Sequence, residues 1–255
     1  MSKLTRKLEK LGEDPSLPIG FSTSKTSDQK SAYLMLIKQI DLKDLNGKSS
    51  LSKNRIDALI VSVNSHKSSY LTRISELAGD HIWGVKSNSV NSNDLDMIYK
   101  SNCDFIVFDP NHTSAEIINN DDIGKIVAVN HRITDETARA INELPIDGVL
   151  FSPRETSVPF TVQNLMEIQM IQSLIDKPFI LSTSSSIQSQ DLESLHKIGI
   201  SGIVIESSTL KAIQEIRASI EKLPHQKNQS KNKSSFSASA ITGLELSIEE
   251  DYEEY

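Results

Sequence analysis

Eight short apolar runs recur along this chain: Tyr33–Ile37, Ala58–Val63, Ile82–Val85, Asp104–Phe108, Lys125–Val129, Asp147–Phe151, Pro178–Leu181 and Gly202–Ile205. They are too uniformly apolar for strands with one face in water, which would alternate, so they read as strands covered on both faces. Between most of them the apolar residues have helical spacing. Ser69 to Ala78 aligns Tyr70, Ile74 and Leu77, and Asp94 to Lys100 offers Leu95, Ile98 and Tyr99. Thr134 to Leu144 opens on a Thr-Asp-Glu cap pattern, and Leu165 to Ile175 and Leu210 to Leu223 carry the strongest helical patterns. Alternating strand and helix implies parallel pairing.

The stretch Lys177 to Leu210 shows the unit most completely. An apolar strand runs into a small-residue turn, then a helix over Asp191 to Ile198 with Leu192, Leu195 and Ile198 on one face, a capping Gly199, and a second strand. Eight such units between Tyr33 and Leu223 match a closed (β/α)8 TIM-barrel-like fold. An open doubly wound sheet is the competing arrangement, but no G-x-G-x-x-G follows the first strand. The first unit is the weakest, because Asp41 to Arg55 is polar and contains Gly47, so distortion is expected there.

The expected organisation is an N-terminal helix and polar connector over 1–30, the barrel over 31–224 and a polar, acidic tail over 225–255. Leu4, Leu8 and Leu11 make the first segment amphipathic, a surface suited to a neighbouring chain, while Leu17 to Phe21 offers a plug for the barrel floor. The Lys, Asn, Gln and Ser of His225 to Ala240 bury too little apolar surface to offset chain entropy, which predicts disorder. Five carboxylates in the last seven residues make a solvating end, or a docking tail for a protein partner.

A net charge of -7 supplies no positive field for nucleic acid. No apolar run spans a bilayer and the N-terminus is charged, so neither membrane nor secretion is expected and the protein reads as cytoplasmic. The single cysteine, Cys103, excludes an internal disulfide and reads as a buried thiol. The six histidines form no H-x-x-x-H pair, so no metal is expected.

In such barrels chemistry gathers at the C-terminal ends of the strands. The residues there point to Lys38, Lys86, Asp109 and Glu206 as catalytic candidates, with Asn130, Ser184, Ser185, Ser186 and Ser207 as ligand contacts. A desolvated lysine loses proton affinity and can act as base or as Schiff-base nucleophile, while carboxylates move protons.

With its D-L-x-x-L helix and the run G-I-x-G-I-V-I-x-S-S, the segment 177–210 resembles the seventh and eighth units of the phosphate-binding TIM barrels, the superfamily holding enzymes of tryptophan, histidine and thiamin biosynthesis. The resemblance implies a phosphate held by backbone N–H groups at Ser185, Ser186 and Ile187 and at Glu206, Ser207 and Ser208. Where the family has glycine, this chain has Ser186 and Glu206 or Ser207. Serine admits close backbone approach less readily, and a carboxylate repels a dianion. Two functions therefore stand side by side: a lyase or isomerase acting on a small, phosphorylated metabolite, and a catalytically inactive barrel that binds or scaffolds through its rim and acidic tail. Flavin or nicotinamide stays open as a cofactor because barrels of this kind hold flavin phosphate at the same turns.

Overall fold

The computed structural model describes residues 2–11, 34–43, 55–154, 158–183, 187–206 and 209–223. All of these lie within the compact unit Met1–His225, whereas the second unit, Gln226–Tyr255, lies outside the described residues together with the tail expected to be disordered. Eight parallel strands close on themselves in sequential order, β1-β2-β3-β4-β5-β6-β7-β8, with β8 returning to β1. They are β1 Met35–Asp41, β2 Ala58–Ser62, β3 Trp83–Ser87, β4 Phe105–Phe108, β5 Gly124–Asn130, β6 Gly148–Ser152, β7 Phe179–Thr183 and β8 Gly202–Ile205. The helices are α1 Lys3–Lys10, α2 Ser68–Ala78, α3 Ser92–Tyr99, α4 Asp135–Glu143, α5 Val162–Leu174, α6 Ser189–Ile198 and α7 Leu210–Ile220. This is the TIM-barrel fold that the sequence rhythm predicts. Between β4 and β5 a 3-10 helix, Ala115–Asn119, takes the place of an α-helix. The polar segment expected to distort the first unit lies largely outside the described residues, as does Leu17 to Phe21.

Local signals account for several helix ends. Thr134 accepts from the Thr137 N–H, as the cap pattern requires, and Gly199 ends α6 at φ 91°, in the left-handed region open to glycine. Helix α5 begins three residues earlier than its apolar spacing indicates, because Thr161 and Asn164 form a reciprocal capping box.

Side chains of each strand divide between two cores. Met35, Ile37, Ala58, Ile60, Phe105, Val107, Ile126, Leu150, Ile180 and Val204 fill the interior, while Leu36, Leu59, Val61, Val85, Ile106, Val149, Leu181 and Ile203 face the helices. Among the described residues the interior holds one large ring, that of Phe105, and its neighbours give way to it. A Cβ at Gly84 would collide with the Phe105 carbonyl oxygen and with its ring, so β3 must carry glycine there.

The even strands share a device at their starts. Asp57, Asp147 and Ser201 each donate a backbone N–H to the preceding strand and accept one back on the side chain. These returning bonds come from Leu36 N at 2.9 Å, Lys125 N at 2.7 Å and Phe179 N at 3.3 Å. Asp57 also accepts from Arg217 Nη1 at 2.7 Å, which ties α7 across the seam where β8 meets β1.

Asp104, in the same place before β4, does something else. Its carboxylate accepts from the Ser2 hydroxyl at 2.7 Å, Lys3 N at 2.8 Å and Leu4 N at 2.9 Å, and so satisfies the free N–H groups of α1. Leu4 and Leu8 then enter the interior core from below. The barrel floor is therefore closed by α1, and the apolar face that the sequence offered to a neighbouring chain is spent within its own barrel. Burial of each leucine contributes about 1.5–3 kcal/mol. Among the described residues no helix is long and apolar enough to cross a membrane.

Replacing Asp104 with alanine leaves two N–H groups and a hydroxyl without their acceptor. The expected result is a loss of about 1–3 kcal/mol in urea unfolding, seen as a lower midpoint. An unchanged midpoint would show that α1 does not depend on this carboxylate.

Candidate functional site

At the C-terminal end of the barrel the inward residues turn polar. Strand alternation carries Met35 and Ile37 on to Gln39 and Asp41, Ile60 to Ser62, Leu150 to Ser152, Ile180 to Ser182 and Val204 to Glu206, with Lys86 two residues beyond Gly84. Three of these form a chain across the mouth: Lys86 Nζ donates to Gln39 Oε1 at 3.2 Å, and Gln39 Nε2 donates to Glu206 Oε1 at 3.2 Å.

The order of that chain matters. Burial lowers the Lys86 pKa, and the nearby charges of Glu206 and Asp41 oppose the shift without reversing it. A carboxylate bonded directly to the amine would stabilise the ammonium. Gln39 instead presents a neutral carbonyl to Lys86 and uses its other end to hold Glu206. Ammonium and carboxylate are separated by one amide, and the amine is left more readily neutral than an ordinary lysine.

The other expected catalytic residues stand elsewhere. Lys38 lies between Leu36 and Ile40, both of which pack among the helices, so its alternation is outward. Burial lowers its pKa too, but on the opposite side of the sheet from the mouth. Asp109 accepts from Asn111 N at 2.8 Å and Asn111 Nδ2 at 2.9 Å and stands 3.7 Å from His112. The Asn111 N–H leads in holding its carboxyl below the usual range, so Asp109 organises its own turn. Asn130, the inward position that follows Ile126 and Ala128 on β5, stands beside Ser152 at the mouth, is exposed and accepts from Arg132 N at 2.9 Å. Ser184, Ser185, Ser186 and Ser207 lie outside the described residues.

Gln39 is the member that sequence reading missed. Its signal was present in the alternation of Met35, Ile37 and Gln39, but the apolar run ends at Ile37 while β1 continues to Asp41. Stopping the strand at Ile37 put Lys38 at its end, one residue away and on the face opposite Gln39.

Two further groups bear on the chemistry. Cys103 is buried and its thiol is pushed up to about 12, chiefly by burial, which makes it an inert core residue. His66, after β2, is buried with Nδ1 at 3.3 Å from Asp94 Oδ1 and with Nε2 lacking a hydrogen bond among the described residues. Desolvation lowers its pKa against the pull of Asp94. No cluster of three metal-ligating side chains occurs among the described residues. A groove of about 530 Å³ lies outside the barrel between α6 and α7, lined by Ile187, Gln188, Glu215 and Ile216, and is remote from Lys86 in sequence and in the fold.

No protein-family model matches the chain, and no curated protein matches it in sequence. Solved structures do resemble it. The tryptophan synthase alpha subunit of Legionella pneumophila str. Paris is 10% identical with a TM-score of 0.60, over 88% of this chain and 100% of that one. A point mutant of the alpha subunit from the hyperthermophile Pyrococcus furiosus is 14% identical with a TM-score of 0.56, over 74% and 97%. A cube-shaped protein cage designed by fusing symmetric oligomeric domains is 14% identical with a TM-score of 0.52, over 74% and 71%. Identities this low establish a shared barrel and nothing finer.

Two pH predictions follow from the signs of the shifts. Below its unfolded pKa near 10.4 the unfolded chain binds a proton at Lys86 more readily than the folded one, so Lys86 lowers stability as pH falls into the neutral range. Lys86→Met should therefore be at least as stable as the parent at pH 7, with the difference narrowing toward pH 10, measured by urea unfolding at both values. For His66 the window lies below about 6.5: the parent should lose stability as pH falls through it, and His66→Gln should flatten that slope.

Proposed function

We propose that the barrel mouth is an enzymatic small-molecule site in which Lys86 is the reactive amine, serving a lyase or isomerase reaction on a small carbonyl metabolite. The observation that carries this reading is the separation of Lys86 from Glu206 by Gln39. In the proposed chemistry, neutral Lys86 Nζ adds to the carbonyl carbon and the carbinolamine loses water to give a protonated imine, which takes the electron pair of the adjacent C–H or C–C bond as the proton or a carbonyl fragment departs. The enamine so formed is reprotonated on carbon, and water adds to the imine carbon to release product and restore the Lys86 amine. Glu206, on the far side of Gln39, delivers and removes the protons of those steps. Gln39 is a positioning residue that keeps the amine oriented and free of a direct carboxylate partner. Lys38 and Asp109 have no part in this reading, since one faces the helices and the other holds a turn.

The resemblance of segment 177–210 to phosphate-binding barrels supports an anionic group on the substrate. This reading assigns that group to Ser184 to Ser186, which follow β7 in sequence, because the β8 end presents a carboxylate where a dianion needs bare backbone. The same carboxylate favours a second reading, a barrel without catalysis that binds a partner through its rim. The two readings differ at Lys86.

Incubating the protein with a panel of small ketones and aldehydes in the presence of sodium borohydride, followed by peptide mass analysis, separates them. Under the enzymatic reading, reduction leaves a stable adduct concentrated on Lys86. Glu206→Gln slows adduct formation roughly tenfold or more, and Lys86→Met loses it. Labelling spread over surface lysines, with no preference for Lys86, would support the non-catalytic reading and overturn the proposal.

A further inference from the structure

We propose that the β5 and β6 side of the barrel mouth is a subsite for the phosphate of a small phosphorylated molecule, with Arg132 and Arg154 supplying positive charge and Asn130 and Ser152 supplying hydrogen bonds. The subsite rests on the reading of the mouth as a small-molecule site and gives its anion a counter-charge: the serines named there follow β7, the neighbour of β6, and carry no positive charge of their own. Register brings the four residues together. Asn130 and Ser152 are paired across β5 and β6, and both are inward positions, since Ile126 and Leu150 of the same strands fill the interior. Arg132 and Arg154 each come two residues later, so the two turns leave the mouth with an arginine at matching places. Both turns are restrained where the arginine sits. In one, the Asn130 side chain accepts from Arg132 N at 2.9 Å and the Asn130 carbonyl from Ile133 N at 3.2 Å; in the other, Pro153 fixes the backbone before Arg154. The first of these bonds uses the amide oxygen of Asn130 and leaves its NH2 as a donor.

Charge identifies the ligand and its orientation. Both arginines are exposed, and among the described residues neither side chain makes an ion pair or a hydrogen bond. The chain holds 34 aspartates and glutamates against 27 lysines and arginines, so two unpaired cations on adjacent turns are a local reversal of its charge. In a ring of eight strands β5 stands opposite β1, and the side formed by β8 and β1 carries Glu206 and Asp41. A dianion is therefore repelled from the β8 end and drawn to the β5 and β6 end. Lys86, on β3, lies between the two sides in the strand order, where it meets a carbonyl some bonds away from the phosphate. Asp109 follows β4, next to β5, but its carboxylate is held by Asn111 and stands beside His112 within its own turn. Two guanidinium forks from separate turns each take a pair of oxygens, which the three of a phosphate can share and the two of a carboxylate cannot.

Calorimetric titration of the full chain with inorganic phosphate at low salt tests the subsite. The expected result is saturable binding with a Kd of about 1 mM. Arg132→Gln and Arg154→Gln should each weaken it roughly tenfold, with circular dichroism unchanged because both side chains are exposed. Glu206→Gln, across the mouth, should alter it by less than about threefold. A larger gain in that variant would put the anion at the β8 end and overturn the proposal. If an arginine variant fails to fold, phenylglyoxal labelling of the parent decides: phosphate should protect Arg132 and Arg154 from modification, read by peptide mass analysis, but not the exposed Arg6 of α1. Absence of saturable binding, binding indifferent to both arginines, or phosphate that protects neither would each overturn the subsite. None of these measurements involves Lys86. Arginine-dependent phosphate binding without a borohydride adduct would therefore count against the enzymatic reading alone, and a Lys86 adduct without such binding against the subsite alone.

Discussion

Strand alternation in a closed parallel sheet governs nearly everything described above. Once eight strands join edge to edge, every second residue is committed to a narrow interior and every other one to the helices. No edge remains along which the register could slip without turning both sets over. The interior accepts only a fixed volume. The ring of Phe105 takes so much of it that β3 carries Gly84 beside it, and two residues further along the same strand the inward position becomes Lys86. Packing in the lower barrel and chemistry at the mouth are thus consecutive entries in one alternation.

The two ends of the barrel show how one kind of residue is put to different use. At the floor, aspartates and a serine before the even strands clasp the amides of their neighbours, and Asp104 is diverted from that pattern to hold the N-terminus of α1. Its carboxylate is matched by N–H groups and a hydroxyl, and it has a structural task. At the mouth, the Glu206 carboxylate accepts, among the described residues, from an amide that also holds an amine. Polar groups at the floor are satisfied largely by backbone N–H groups, whereas Lys86, Gln39 and Glu206 at the mouth bond to one another through their side chains.

Much of the fold was legible in the linear chain, because uniformly apolar runs alternating with amphipathic helices have few ways to bury themselves. The site was legible only in part. Lys86 and Glu206, which the structure joins through Gln39, each follow an apolar run that ends close to the true strand end. Gln39 was missed and Lys38 chosen because polar inward residues at a barrel mouth look like the end of a strand. Asp109 and Asn130 stand at strand ends and accept short-range bonds from Asn111 and Arg132, contacts that depend on turn geometry rather than residue type. The role of α1 as floor was hidden because its apolar face fits a partner chain and its own barrel equally well.

Composition and periodicity alone therefore determined that this is an eight-unit (β/α) barrel with a charged mouth, because burial of two-sided strands is a matter of pattern. Which side of the sheet each polar residue faces, what it touches, and whether its charge is neutralised by backbone, by an amide or by nothing were decided only by closure of the barrel. A shift of one residue along a strand leaves the sequence pattern almost unaltered and moves a side chain from the mouth to the opposite face.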